Sequence, residues 1–285
     1  MAKDTFFKKK VTLNIGGKLL DLSRPKVMGI INVTPDSFFA GSRKPEMADA
    51  VFMAEKMLNE GAAFLDLGAY SSRPGAANIS PKEESDRLLP VIEAIAKQFP
   101  EAVLSVDTFR ASVAEAGIKS GAQMINDISG GDLDVEMFAT IARLQVPYIL
   151  MHTKGTPQNM AAKAQYNDVF TEVFDDLSAK VYRLKQLNLH DVILDPGFGF
   201  AKTKEQSFEL LRKMQGFERL NLPVLAGISR KGIIYKTLNA TAEKALNGTT
   251  VLNTMALLNG ANILRVHDVK EAVEALRLVE AYQAK

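Results

Sequence analysis

The sequence predicts an α/β protein: a single (β/α)8 barrel with an N-terminal β-hairpin closing the bottom. Three observations lead there. Eight short apolar runs, mostly Val, Ile, Leu and Met, recur along the 285 residues. Each run is continuous rather than alternating, as expected of strands covered on both faces. Between the runs the apolar period turns helical. Strict strand–helix alternation implies a parallel sheet, and eight is the number that closes a barrel. An open doubly wound sheet would carry a glycine-rich dinucleotide turn after its first strand, and Asn32-Val33-Thr34-Pro35 is not one.

The elements can be justified in order. Residues 1–10 carry Lys8-Lys9-Lys10 and read as a flexible, solvated N-terminus, with one barrel domain over 11–285. Val11–Asn14 and Lys18–Leu22 flank Gly16-Gly17 and form the hairpin expected to plug the barrel. The strand runs are Val27–Ile31, Ala63–Leu67, Ala102–Val106, Gln123–Ile125, Tyr148–Met151, Val192–Leu194, Val224–Ile228 and Ile263–Val266. After the first, Met47, Ala50, Val51, Ala54, Met57 and Leu58 share a helical stripe that stops at Gly61. After the second, Ser80-Pro81-Lys82-Glu83 reads as a capping box with proline at the first helical position, and Leu88, Ile92, Ile95 and Phe99 share a face. Further helices are predicted over Phe109–Ser120, Asp134–Arg143, Val169–Leu187, Lys204–Met214, Ala242–Leu258 and Val269–Ala284.

Composition excludes several classes of function. Lys and Arg number 35 against 33 Asp and Glu, too balanced for a dedicated nucleic-acid binder. Without cysteine there is no disulfide framework, thiolate zinc site or cysteine nucleophile. Three histidines, His152, His190 and His267, leave little for a polyhistidine metal centre. No apolar stretch resembles a signal peptide or a membrane span, so a soluble, cytoplasmic protein is expected.

The strand ends carry the chemistry. They hold Asn32, Asp66, Asp107, Asn126 with Asp127, His152, Asp195, Ser229-Arg230-Lys231, and Arg265 with His267. In a barrel these positions converge on the C-terminal mouth, where active sites lie. Any one carboxylate there could simply cap the next helix, and Asp66 and Asp127 each stand open between that role and a site role. So does His152, as core residue or site residue. All eight polar ends cannot be caps. Asp107 and Asp195 should face each other across the mouth, with Asn126 between them and Lys231 nearby. Buried carboxylates need donors, and an aminopyrimidinone such as guanine or pterin offers adjacent ring N–H and exocyclic NH2 groups. Arg73, Arg265 and His267 make a second, cationic group suited to a phosphate at the rim. Two long loops, Val33–Pro45 and Ala69–Ser80, suit a closing lid.

The motifs at the strand ends are GIINVTPDSF, SSRPG, SVDT, NDISGG, LMHTKGTP, DPGFGFAK, GISRK and RVHDV. In this order the chain resembles the dihydropteroate synthase family of pterin-binding TIM barrels, over essentially residues 11–285. The resemblance implies a transferase of folate biosynthesis, the sulfonamide target. It would condense 6-hydroxymethyl-7,8-dihydropterin pyrophosphate with 4-aminobenzoate, giving 7,8-dihydropteroate and pyrophosphate by an SN1-like displacement, with Mg2+. By motif, Asp107, Asn126, Asp195 and Lys231 would hold the pterin and carry catalysis. Asn32 would ligate Mg2+ and, with Arg73, Arg265 and His267, bind the pyrophosphate. Asp36, Phe38, Ser72, Pro74, Phe200 and Ser229 would shape the aminobenzoate pocket and its loops. A homodimer through the last helices is implied, with Leu252, Met255, Ala256 and Leu276 available for it. Tyr70, Ser72 and Gly232 depart from the commonest family pattern and bear only on the aminobenzoate side. The alternatives are a pterin-binding domain of a corrinoid-dependent methyltransferase and a catalytically silent paralogue. The first would have no pyrophosphate to hold, and the second would be marked by losses at Asn32, Asp107 or Asp195.

Overall fold

The structure, a computed structural model, describes residues 11–33, 43–71 and 78–284. Two antiparallel strands come first, β1 (Thr12–Ile15) and β2 (Lys18–Asp21), joined through Gly16 and Gly17. Both glycines have positive φ, 57° and 85°, the backbone that a tight two-residue hairpin turn requires.

Eight parallel strands follow: β3 (Lys26–Asn32), β4 (Phe64–Gly68), β5 (Val103–Asp107), β6 (Met124–Asp127), β7 (Tyr148–Met151), β8 (Val192–Asp195), β9 (Leu225–Ala226) and β10 (Ile263–Val266). Their spatial order is β8-β7-β6-β5-β4-β3-β10-β9. A parallel bridge between Leu194 and Val224, with the Leu194 amide donating to Pro223 O at 2.8 Å, joins the two ends of this order and closes the barrel.

Helices lie between the strands: α1 (Arg43–Asn59), α2 (Pro81–Gln98), α3 (Ala111–Lys119), α4 (Met137–Leu144), α5 (Val169–Gln186), α6 (Lys204–Lys213), α7 (Gly232–Tyr235), α8 (Leu246–Leu258) and α9 (Val269–Gln283). Their apolar stripes cover the outward side of the strands, for instance Ala50, Ala54 and Met57 of α1 and Leu88, Ile92 and Ile95 of α2. At the start of α2, Ser80 caps the Glu83 amide at 3.1 Å. The expected reciprocal half is not made, because the Glu83 carboxylate turns to Arg87 instead. A complete capping box occurs at Thr203–Gln206 of α6, where it was not foreseen. The ninth strand is also shorter than the run Val224–Ile228 suggested, since Lys231 N bonds back to Ile228 O and turns the chain into α7.

Alternation along each strand separates two cores. Residues such as Leu65, Leu67, Leu104 and Val106 belong to the outer core shared with the helices. Met28, Phe64, Met124, Ile149, Ile193, Leu225 and Ile263 point inward and form one apolar layer with Leu13, Ile15 and Leu22 of the hairpin segment. The hairpin therefore plugs the N-terminal end as expected, and polar residues are confined to the layers above this floor.

On α8 the faces differ from the expectation. Leu252 and Ala256 are buried against the barrel, whereas Val251, Met255 and Leu258 are each nearly half exposed. Helical phase explains this: 251, 255 and 258 share the outer stripe at i, i+4, i+7. Leu276 is partly buried against the outer core. Among the described residues no helix is long and apolar enough to cross a membrane.

Candidate active site

Strand parity decides which polar end groups enter the barrel. Asp66 has the parity of the inward Phe64, Asp107 that of the inward-facing Val103, Asn126 that of Met124, Asp195 that of Ile193, and Arg265 that of Ile263. Asp127 has the opposite parity. Its carboxylate is fully buried outside the barrel and accepts from Ser129 N and Oγ, Gly131 N and the Tyr148 hydroxyl, at 2.7–2.8 Å. It neither joins the mouth nor caps the next helix, which starts at Met137; it ties down the turn after β6.

Inside the mouth, four residues interlock. Asp66, wholly buried, accepts at Oδ2 from Asn126 Nδ2 (2.8 Å) and from Arg265 Nε (2.6 Å). Arg265 Nη2 continues to Asp107 Oδ2 at 2.5 Å. Asp107 and Asn126 are register partners on adjacent strands, so they stand side by side at one level. Burial pushes the Asp107 carboxyl up, and Asp66 adds to that, while the Arg265 guanidinium pulls it down. Arg265 itself is held above its ordinary value by Asp66 and Asp107 despite its burial.

Asp195 stands apart from this group with a different cation. Its Oδ1 accepts the Gly197 amide at 2.8 Å. Burial raises its carboxyl and Lys231 is the main group opposing the rise. Lys231 caps α7 and donates to Phe198 O at 2.8 Å, with its ammonium 4.5 Å from the centre of the Phe200 ring. Burial lowers Lys231 to about 8, and Asp195 resists that fall. The preceding Arg230 adopts a positive φ of 54° and pairs outward with Asp268 at 2.9 and 2.7 Å. That turn lets two adjacent cations point to opposite sides.

The expected charge separation, carboxylates in the barrel and cations at the rim, is thus only partly realised. Arg265 is not a free rim cation; it lies between two carboxylates inside the barrel. The physical reason is that Asp66 and Asp107 would otherwise be buried without a counter-charge. His267, by contrast, does sit beyond the strand end, its Nδ1 3.1 Å from Ser229 Oγ. Asn32 ends β3 and is exposed at the mouth. Tyr70 packs edge-on against Phe109 and accepts from Gln158 Nε2 at 3.0 Å. Asp36, Phe38, Ser72, Arg73 and Pro74 lie outside the described residues.

His152 is a satisfied core residue. The buried Lys202 lies 2.9 Å from its Nδ1 and also bonds to the carbonyls of His152, Gly197 and Phe200. Lys202 thereby holds the loop that follows Asp195, and a Cβ at Gly197 would collide with His152 O. One residue escaped the sequence reading, Lys202, and one that it left open, Asp66, joins the interlocked group. For Asp66 a signal was present: a carboxylate in the middle of the apolar run Ala63–Leu67 at the same parity as Phe64. For Lys202 the only signal was its place in DPGFGFAK, since its partners, the His152 ring and three carbonyls, meet it only in the fold.

Burial, with nearby Lys202, drives His152 down to about 2; partial desolvation in the mouth, with Arg265 beside it, lowers His267 to about 4 although the residue keeps an exposed face. Both are lowered, so their contribution to stability is present above about pH 6.5 and declines as pH falls through the range below it. In a histidine NMR titration both rings are expected to stay neutral from pH 5 to 8. Added pyrophosphate should raise His267 alone, since an anion favours the imidazolium. Ordinary titration of His267 near 6.5 in the free protein would contradict this environment.

Comparison with known proteins places the fold and these motifs together. A family model described as pterin binding enzyme matches residues 28–267. The dihydropteroate synthase of Escherichia coli K12 is 44% identical over 267 residues, spanning 93% of this chain and 94% of that protein. The chain belongs to the dihydropteroate synthase family. The enzyme from Synechocystis sp. is 40% identical over 273 residues, 94% of each chain. Among solved structures, Xanthomonas albilineans dihydropteroate synthase with 4-aminobenzoic acid superposes with a TM-score of 0.90 at 37% identity, covering 96% of this chain and 99% of that one. Yersinia pestis dihydropteroate synthase in complex with a sulfonamide drug gives 0.90 at 39% identity, covering 96% and 100%. The dihydropteroate synthase fold is therefore the frame in which the interlocked carboxylates and cations sit.

Proposed function

We propose that this chain condenses 6-hydroxymethyl-7,8-dihydropterin pyrophosphate with 4-aminobenzoate to give 7,8-dihydropteroate and pyrophosphate. The observation that carries the reading is the set of acceptors Asp107, Asn126 and Asp195 above an apolar floor, with Arg265 shared by Asp107 and Asp66 and Lys231 near Asp195. A flat ring bearing adjacent N–H donors meets such acceptors edge-on. A Xanthomonas albilineans relative has been solved with 7,8-dihydropteroate, at 35% identity and a TM-score of 0.87. The cations argue against a methyltransferase pterin domain, and intact Asn32, Asp107 and Asp195 argue against a silent paralogue.

In the reaction the methylene C–O bond breaks and its electron pair leaves with pyrophosphate. His267, Arg73 and the outer edge of Arg265 would hold that anion. Asp107 and Asp195 stabilise the positive charge then spread over the methylene and ring, an effect large only in a preorganised site shielded from water. The aromatic amine lone pair forms the new C–N bond, and the surplus amine proton passes to solvent. Phe200 and Ser229, with Phe38, Ser72, Pro74 and Asp36 from the long loops, would position the amine.

Asn32 is the candidate Mg2+ ligand. Among the described residues no acidic or histidine cluster could cage a metal alone. One exposed amide oxygen fits an ion carried mainly by substrate oxygens and water, which is how Mg2+ commonly binds. When bound, it would neutralise charge on the leaving group. The exposed stripe Val251, Met255 and Leu258, with Leu278 and Tyr282 on α9, supports a homodimer through the last two helices. Sedimentation showing a monomer would remove that part of the reading. A cytoplasmic location is consistent with the cysteine-free composition, and cell fractionation checks it.

The test uses purified protein with Mg2+ and both substrates. Dihydropteroate and pyrophosphate are expected in equal amounts. Neither product forming would reject the reading.

A further inference from the structure

Asp66 is placed where none of the roles assigned above uses it directly, and the geometry around it has a direction. It lies one layer above the apolar floor, in register with Ser105 of the next strand, and both side chains are fully buried. Its Oδ2 takes two donors, Asn126 Nδ2 and Arg265 Nε. Its Oδ1 has no hydrogen-bond partner, and neither has Ser105 Oγ. A carboxylate kept only for stability would be expected to satisfy both oxygens, because an unmet buried acceptor is costly. Asp66 instead concentrates its bonding on two residues that face the substrate.

The consequence for those two residues follows from donor and acceptor chemistry. An Asn amide can present either its oxygen or its NH2 group to a ligand. A carboxylate accepts only, so the Asn126 NH2 group must turn towards Asp66, and the Asn126 oxygen remains for a ligand N–H. Arg265 is likewise held at Nε by Asp66 and at Nη2 by Asp107, which fixes the plane of its guanidinium. Three strands besides β4 meet in this arrangement: β5 through Asp107, β6 through Asn126 and β10 through Arg265.

We propose that Asp66 is a positioning residue for pterin recognition, which sets the amide sense of Asn126 and the orientation of Arg265 without itself touching the reacting atoms. This deepens the proposed function and rests on it. The role is specific to one substrate. Asp66 orders the acceptors for the donor-rich ring and nothing on the aminobenzoate side, where Phe200 and Ser229 stand on other strand ends.

The test compares wild type, Asp66→Asn and Asp66→Glu by calorimetric pterin binding and by steady-state kinetics with both substrates. In Asp66→Asn the side chain can donate as well as accept, so Asn126 loses its fixed sense. Pterin affinity is expected to fall about tenfold or more, the scale of one charge-assisted hydrogen bond, while KM for 4-aminobenzoate stays within about twofold. The loss should shrink to below about threefold when Asn126 is already Ala, because interacting residues are non-additive. Asp66→Glu keeps the charge but displaces the carboxylate by one methylene, and should lose affinity as well. It also reads the prediction if Asp66→Asn fails to fold. Unchanged pterin affinity in a folded variant, equal effects on both substrates, or full additivity with Asn126→Ala would overturn the proposal. A wild type that binds no pterin would instead overturn the proposed function.

Discussion

Arg265→Met is expected to cost about 3–5 kcal/mol of stability near pH 8, the penalty for leaving a buried carboxylate without its partner, and to reduce kcat/KM by at least about 100-fold. Methionine keeps much of the volume, so the loss is electrostatic. Asp66 and Asp107 would then share a buried layer with no cation between them. The deficit should depend on pH with a definite sign. Burial already raises Asp107 above its unfolded value, and Arg265 is the main group opposing that. Without Arg265 it rises further above its wild-type value of about 7, so between about pH 7 and the new value the folded variant holds a proton that the folded wild type has released. Stability of the variant relative to wild type therefore worsens as pH rises from about 7 towards 8 and is nearly level below about 7. Urea unfolding at pH 5, 6.5 and 8 checks this. An equal deficit at all three would show that the ion pairs are not the cause.

Asp195→Asn should do the opposite to stability while still damaging function. Burial raises the Asp195 carboxyl, so its charged form is a strain on the fold at neutral pH and above. The variant removes that strain. Lys231 loses its main favourable neighbour, yet it already lies near 8 and can shed its proton rather than remain an unpaired buried charge. The thermal midpoint at pH 8 is expected to stay unchanged or to rise. Pterin affinity should fall by about 10- to 100-fold, since an acceptor is replaced in part by a donor and about 1.5–3 kcal/mol of charged hydrogen bonding is lost. Retained pterin affinity in a calorimetric titration would remove Asp195 from the site.

These two variants differ because the two carboxylates have different company, and that difference is where sequence reading stops. The eight strands could be found from continuous apolar runs, and the hairpin from Gly16-Gly17. Tyr148–Met151 and Ile263–Val266 were predicted to the residue. Position at a strand end likewise marked Asn126, Asp107, Asp195 and Arg265 as neighbours at one mouth. The same rule marked Asp127 and left it open, because side chains alternate across a strand and adjacent residues face opposite sides. Parity could have been read for Asp66 against Phe64, had the inward face of that strand been known.

Local pattern alone thus determined how many strands there are, that they are parallel, and which end of them carries polar chemistry. These depend on residues within a few positions of one another. Which cation neutralises which carboxylate was decided only by tertiary structure. Arg265 meets Asp66 across 199 residues of chain and Asp107 across 158. Closing the barrel brings β10 beside β3, which puts those charges in one shielded layer, where an unpaired carboxylate would be too costly to keep.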